Sequence, residues 1–95
     1  YPAIGAVLDR HGYGDRLRAR LAPSNVVGHQ IGVEVHENPW LRPDGQEPLQ
    51  EGMVMCLEPK LWHPGEYYFR LEDMIHIGKD GAEFLTTFDR ELFRI

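Results

Sequence analysis

The sequence holds one cysteine, Cys56, in 95 residues, so an internal disulfide is excluded and a reducing compartment fits. No apolar run approaches the ~20 residues of a membrane helix, and no signal-peptide pattern appears in these residues. Basic residues are few and scattered. Ten Lys and Arg against fifteen Asp and Glu give a formal charge of −5, with no cationic stripe to track a phosphate backbone. Neither nucleic acid nor a membrane is therefore expected as a partner, and the acidic balance suits solubility or cation ligation. Also missing are an internal repeat, a low-complexity tract, a second-domain boundary and any Ser or Cys nucleophile motif. The first residue is Tyr1, not Met, so a processed or partial product is expected.

The residues present sort into a helix followed by strands. "PAIGAVLDRH" (2–11) places Ile4, Val7, Leu8 and His11 at helical spacing, with Pro2 suited to a first turn, and "HGYG" stops it. Residues 15–25 permit one short helical turn before Pro23. From Val26 the period shifts to two: "IGVEVHE" alternates Ile31, Val33 and Val35 with Gly32, Glu34 and His36, as a half-buried strand does. "NPWLRPDGQEP" reads as a loop on its prolines and Asp44-Gly45. "GMVMCLEP" reads as an apolar strand ended by Pro59, "YYFRLEDMIHIG" as the longest strand, and "KDG" as the turn of a hairpin into "AEFLTT". The expected class is α+β, one helix and then four or five mostly antiparallel strands.

Strand parity directs attention to two carboxylates. Glu58 falls on the face of Val54 and Cys56, and Glu72 on the face of Arg70, Met74 and His76. If those strands pair, both carboxylates reach one side, and His29 and His36 can add imidazoles. Carboxylates within apolar strands are costly unless Arg70, Lys60 or a bound cation neutralises them. A mixed His and Glu set suits Zn, Mn, Co or Fe better than Mg or Ca. The blander readings are a hydrogen-bonded structural role for His11, His63 and His76, a surface position for Glu58, and an inert buried thiol for Cys56. From pattern alone, a metal centre and a structural salt-bridge cluster stay equally open.

Four stretches in order, "GHQIGVEVHENP", "LQEGMVMCLEP", "YYFRLEDMIHIGKDGAEFLTT" and "DREL", resemble the C-terminal half of the pita-bread metallopeptidase family of methionine aminopeptidase, Xaa-Pro aminopeptidase, prolidase and creatinase. "VHENP" and "FRLED" are most similar to its Xaa-Pro branch. The resemblance implies the C-terminal portion of a pita-bread fold with a curved sheet. It implies metal ligation by His29, Glu58 and Glu72, with Glu72 bridging two divalent ions (Mn, Co, Zn or Fe). It implies catalytic roles for His36 in proton handling and substrate contact, for Glu58 in relaying the proton of a metal-bridging hydroxide, and for Arg70 in supporting the site. Trp40 and Trp62, placed in loops by the pattern, become candidate substrate-pocket walls.

Two departures matter. The family's two aspartate ligands come from earlier strands, and nothing here resembles them. Residues 1–95 are therefore expected to be the C-terminal half of a catalytic domain that needs its N-terminal half as partner, with no substantial activity alone. The glycine that commonly follows Glu-Pro is Lys60 here, a cation that can bind a substrate carboxylate or alter substrate choice. The expected activity is hydrolysis of peptide bonds next to proline; a metal-dependent C–N hydrolase or lyase on a small amide, or a non-catalytic relative, are the alternatives. A cytoplasmic location is expected, and a homodimer is compatible with the sequence.

Overall fold

The computed structural model describes residues 1–95. Two helices, α1 (Pro2–Arg10) and α2 (Gly14–Arg18), precede seven strands: β1 (Gly28–Gln30), β2 (Glu37–Leu41), β3 (Val54–Leu57), β4 (Lys60–His63), β5 (Tyr67–Arg70), β6 (Asp73–Gly78) and β7 (Gly81–Phe84). Pro2 opens α1, where its missing N–H costs nothing. The chain reverses at Gly12, whose φ of 78° suits glycine, and α2 is held to α1 by Arg18, which donates to Asp9 at 2.7 Å. Gly14 leaves room for this pair, because a methyl group there would displace the Asp9 carboxylate.

Five strands form one sheet in the order β2-β1-β3-β6-β7, and β4 and β5 form a separate two-stranded hairpin. All pairings are antiparallel. Met55, Val27, Leu17 and Ile75 are the buried apolar centre, and Met55 and Ile75 are directly paired across β3 and β6. The expected hairpin around Lys79-Asp80 forms as β6–β7.

Three sequence expectations need correction. Residues 31–36 are not a strand. Val33 is 99% exposed and Val35 63% exposed, so their alternation faces no core. The Glu37 carboxylate instead gathers this stretch into a loop, accepting from the Glu34 amide at 2.9 Å and from Gln30 Nε2 at 3.2 Å. A side chain at Gly32 would collide with that carboxylate.

Strand structure lies on both sides of the loop, in β1 and β2, so Trp40 is on a strand and not in a loop. Trp62, on β4, is likewise a strand residue. The prolines that suggested a loop misled because the register slips between His29–Trp40 and Gln30–Glu37. Asn38 and Pro39 therefore sit in a bulge, where a missing N–H breaks no ladder. Finally, "YYFRLEDMIHIG" is two strands, not one. The chain leaves the hairpin after Arg70 and enters the large sheet at Asp73, so the parity expected between Phe69 or Leu71 and Ile75 fails, and Phe69 is 49% exposed.

Candidate active site

Cross-strand pairing builds the site. Trp40 opposes His29, His29 opposes Cys56, and Cys56 opposes Met74, so these four side chains form a row on one face of β2-β1-β3-β6. Glu58 lies one residue beyond the end of β3 and Glu72 one before the start of β6, and because Leu57 pairs with Asp73 both come to the same end of the sheet. Close strand approach at His29 depends on Gly28, where a methyl group would meet the Cys56 carbonyl oxygen.

His29 is 2% exposed. Its Nδ1 lies 2.9 Å from the Gln30 carbonyl oxygen, which can only accept, so Nδ1 is the donor there and in the neutral ring the lone pair is on Nε2. That nitrogen faces Glu58 Oε1 at 3.8 Å. Two lone-pair-bearing atoms face each other here across a gap that one cation can fill, since metal bonds to imidazole and carboxylate are each ~2.0–2.1 Å. Donor atoms of His29, Cys56 and Glu72 also lie within 4.8 Å of one another. The donor set therefore fits a divalent cation. Burial, and then the carboxylates of Glu72 and Glu58, push the Cys56 thiol up, which keeps it protonated beside the other two.

The carboxylates have different surroundings. Glu58 is buried; Lys60 Nζ contacts its Oε1 at 2.9 Å, and Arg70 Nη1 donates to its Oε2 at 3.3 Å. Glu72 is exposed and lies 3.8 Å from the other terminal nitrogen of Arg70. Arg70 thus bridges the two carboxylates from the β4–β5 hairpin.

His36, on the exposed loop, comes back over the site: its ring is 4.5 Å from His29 and stacks on Trp40 at 5.5 Å. Trp40 continues into a groove of about 380 Å³ that it shares with Val26 and Arg42. Trp62 is not brought to this place and lines a different groove with Arg20 and Leu21. His29, His36, Trp40, Glu58, Lys60, Arg70 and Glu72 are hence gathered together, and Trp62 stands apart. Sequence reasoning passed over Glu37, which shapes the His36 loop; its signal was a carboxylate seven residues from Gln30, next to a proline-bearing bulge. Cys56 is buried, as the sequence leads one to expect, and its sulfur also lies within 4.8 Å of donor atoms of His29 and Glu72.

Known proteins resemble this chain in sequence and fold. The model of metallopeptidase family M24 matches residues 1–79. A putative dipeptidase, YkvY, of Bacillus subtilis is 38% identical over 90% of this chain and 22% of its own length. The Xaa-Pro dipeptidase of Pyrococcus furiosus is 36% identical over 90% of this chain and 23% of its own. Among solved structures, the Xaa-Pro dipeptidase of Bacillus anthracis superposes with a TM-score of 0.75 at 33% identity, covering 93% of this chain and 23% of that one. The chain thus spans less than a quarter of the length of these relatives. A match over most of its residues, with sequence and fold in agreement, establishes that the chain belongs to metallopeptidase family M24, in its Xaa-Pro peptidase branch.

Proposed function

We propose that the chain is the C-terminal part of a catalytic domain that hydrolyses peptide bonds next to proline, as an Xaa-Pro aminopeptidase or dipeptidase. The observation that carries this reading is that His29 Nε2 faces Glu58 Oε1 at 3.8 Å while donor atoms of His29 and Glu72 lie within 4.8 Å of each other. In this reading they hold two divalent cations, manganese among the candidates, together with two aspartates from an N-terminal half of the same domain. Bound there, such cations supply Lewis-acid polarisation of the scissile carbonyl and lower the pKa of a bridging water.

The chain's own residues do the rest. The Gln30 carbonyl oxygen accepts from His29 Nδ1, which leaves Nε2 as the nitrogen turned toward Glu58. Arg70 holds Glu58 and Glu72 in mutual orientation. In this reading Glu58 is also the group that takes the proton given up by the attacking water. His36 stands outside the ligand set, braced by Trp40, where it can hydrogen-bond the developing oxyanion or pass a proton to the leaving amine. The groove beside Trp40 offers an apolar wall to a proline ring, and Trp62 is assigned to a more distant part of a substrate. No helix of the structure is long and apolar enough to cross a membrane. A cytoplasmic, dimeric enzyme is the setting this reading favours.

The decisive experiment uses the full-length protein. Chelation abolishes cleavage of Xaa-Pro dipeptides, Mn²⁺ or Co²⁺ restores it, and Glu72→Gln loses both bound metal and turnover. Loss of metal with unchanged turnover refutes the reading. Residues 1–95 alone show no substantial cleavage, and co-expression with the N-terminal half restores metal binding. A small-amide hydrolase remains the second reading, favoured by Lys60 where the resemblance leads one to expect glycine, and a panel of dipeptides against small amides separates the two.

A further inference from the structure

Glu58 already holds two cations of the chain's own. Lys60 and Arg70 are direct cross-strand partners in the β4–β5 hairpin, so both project to the same side. Like charges directly opposed repel, and here the Glu58 carboxylate lies between them: Lys60 on Oε1 at 2.9 Å, Arg70 on Oε2 at 3.3 Å. The Lys60 side chain is only 12% exposed, and its ammonium also donates to the Val26 carbonyl at 3.2 Å. This is a seated ion pair and not a passing surface contact. The oxygen that Lys60 occupies, Oε1, is also the one that faces His29 Nε2 at 3.8 Å. A cation that uses His29 and Glu58 together must therefore share or take that oxygen from Lys60.

We propose that Lys60 is a built-in competitor for the metal at Glu58. It seats the carboxylate while the cation is absent, and it must withdraw from Oε1 when the cation enters. The inference rests on the metal-centre reading above. The cause is electrostatic. An ammonium and a divalent cation within bonding distance of one oxygen repel strongly in a buried setting, so the ammonium weakens metal binding at this position. The same ammonium relieves the cost of an unmetallated buried carboxylate, which otherwise lacks a partner on Oε1. Lys60 is thus a positioning residue whose two effects have opposite signs in the two states of the centre.

The test uses the full-length protein, stripped with chelator and titrated with Mn²⁺ by calorimetry. Lys60→Met keeps the apolar stem without the charge; it binds the metal at least tenfold more tightly than wild type, while Lys60→Arg stays near wild type. Without metal the Met variant melts below wild type, and at saturating Mn²⁺ it melts at or above it. A merely structural lysine predicts lower melting in both states, and that result, or equal Mn²⁺ affinity in the two proteins, overturns the proposal. A wild type and Lys60→Met that both bind no Mn²⁺ sink the metal-centre reading and this inference with it. A second measurement needs no variant. Acylation of Lys60 by an amine reagent, followed by mass spectrometry of the wild type, accelerates severalfold on adding Mn²⁺ as the ammonium is released. An unchanged or slower rate refutes the displacement.

Discussion

Gly28 offers the sharpest test of how the sheet positions the site. Its backbone conformation is one that alanine also adopts, so Gly28→Ala carries no torsional penalty and isolates the steric effect. The added methyl group would run into the Cys56 carbonyl oxygen and stand 3.0 Å from Leu41 Cδ1. The leucine can rotate away, but the carbonyl belongs to β3 and is fixed by its ladder. β1 must therefore move off β3 at the residue next to His29.

Overpacking of this kind costs about 1–3 kcal/mol. A displacement of ~1 Å at His29 is enough to lower the rate on the order of 100-fold. Gly5→Ala is the matched control. Gly5 lies inside α1 with nothing within 4 Å of the new methyl, so it gains about 0.5–1 kcal/mol from reduced unfolded-chain freedom. Urea unfolding of the full-length protein reads both variants, and Mn²⁺ titration reads the site. A Gly28→Ala protein with wild-type stability and wild-type metal affinity refutes the claim that strand closeness at this residue sets the position of His29.

Other outcomes follow from single contacts. Glu37→Ala removes the acceptor that gathers residues 31–36, so kcat falls on the order of tenfold through misplaced His36 while bound Mn²⁺, measured by elemental analysis, is unchanged. The hydrogen bond from Arg18 holds the Asp9 carboxyl below its ordinary value of 3.8, so this pair stabilises the α1–α2 corner above that pH. The contribution is lost as pH falls through the lowered value, and an acid titration followed by nuclear magnetic resonance at Asp9 shows it. Gly14→Ala, which displaces Asp9, removes that pH dependence. Thr86→Val deletes the hydroxyl that donates to Asp73 at 2.6 Å and costs about 1 kcal/mol in urea unfolding, freeing the segment after β7.

Much of the site was legible because two apolar strands could be expected to pair. Cys56 pairs with Met74, and Glu58 and Glu72, each just outside its strand, come to the same end of the sheet. His29 was legible only through its resemblance to family motifs, since nothing in "GHQIG" alone distinguishes a ligand from a packed imidazole. The alternation Ile31-Val33-Val35 misled for a physical reason: periodicity reports which side chains share a face, and not whether anything covers that face. Val33 and Val35 are exposed, and the local hydrogen bonds of Glu37 outweigh their preference for strand. Contacts between distant parts of the chain, such as Lys60 with Val26 or Arg18 with Asp9, leave no periodic trace at all.

The break between β5 and β6 carries the largest consequence. A continuous strand would hold Arg70 and Glu72 on one pleated face of a single sheet, two residues apart, with Arg70 fixed by the same ladder as Met74. Instead Arg70 belongs to the hairpin and Met74 to the large sheet, with Leu71 and Glu72 crossing the seam. Glu72 lies outside both ladders, so its carboxylate is not bound to the pleat direction and stays exposed, whereas Glu58, at the end of β3, is buried against the hairpin's cations. The seam therefore gives the two carboxylates different surroundings: Glu58 is buried between Lys60 and Arg70, and Glu72 is exposed with Arg70 at 3.8 Å. A sequence read as one long strand misses this difference, because it arises from where the hydrogen-bonded ladder stops.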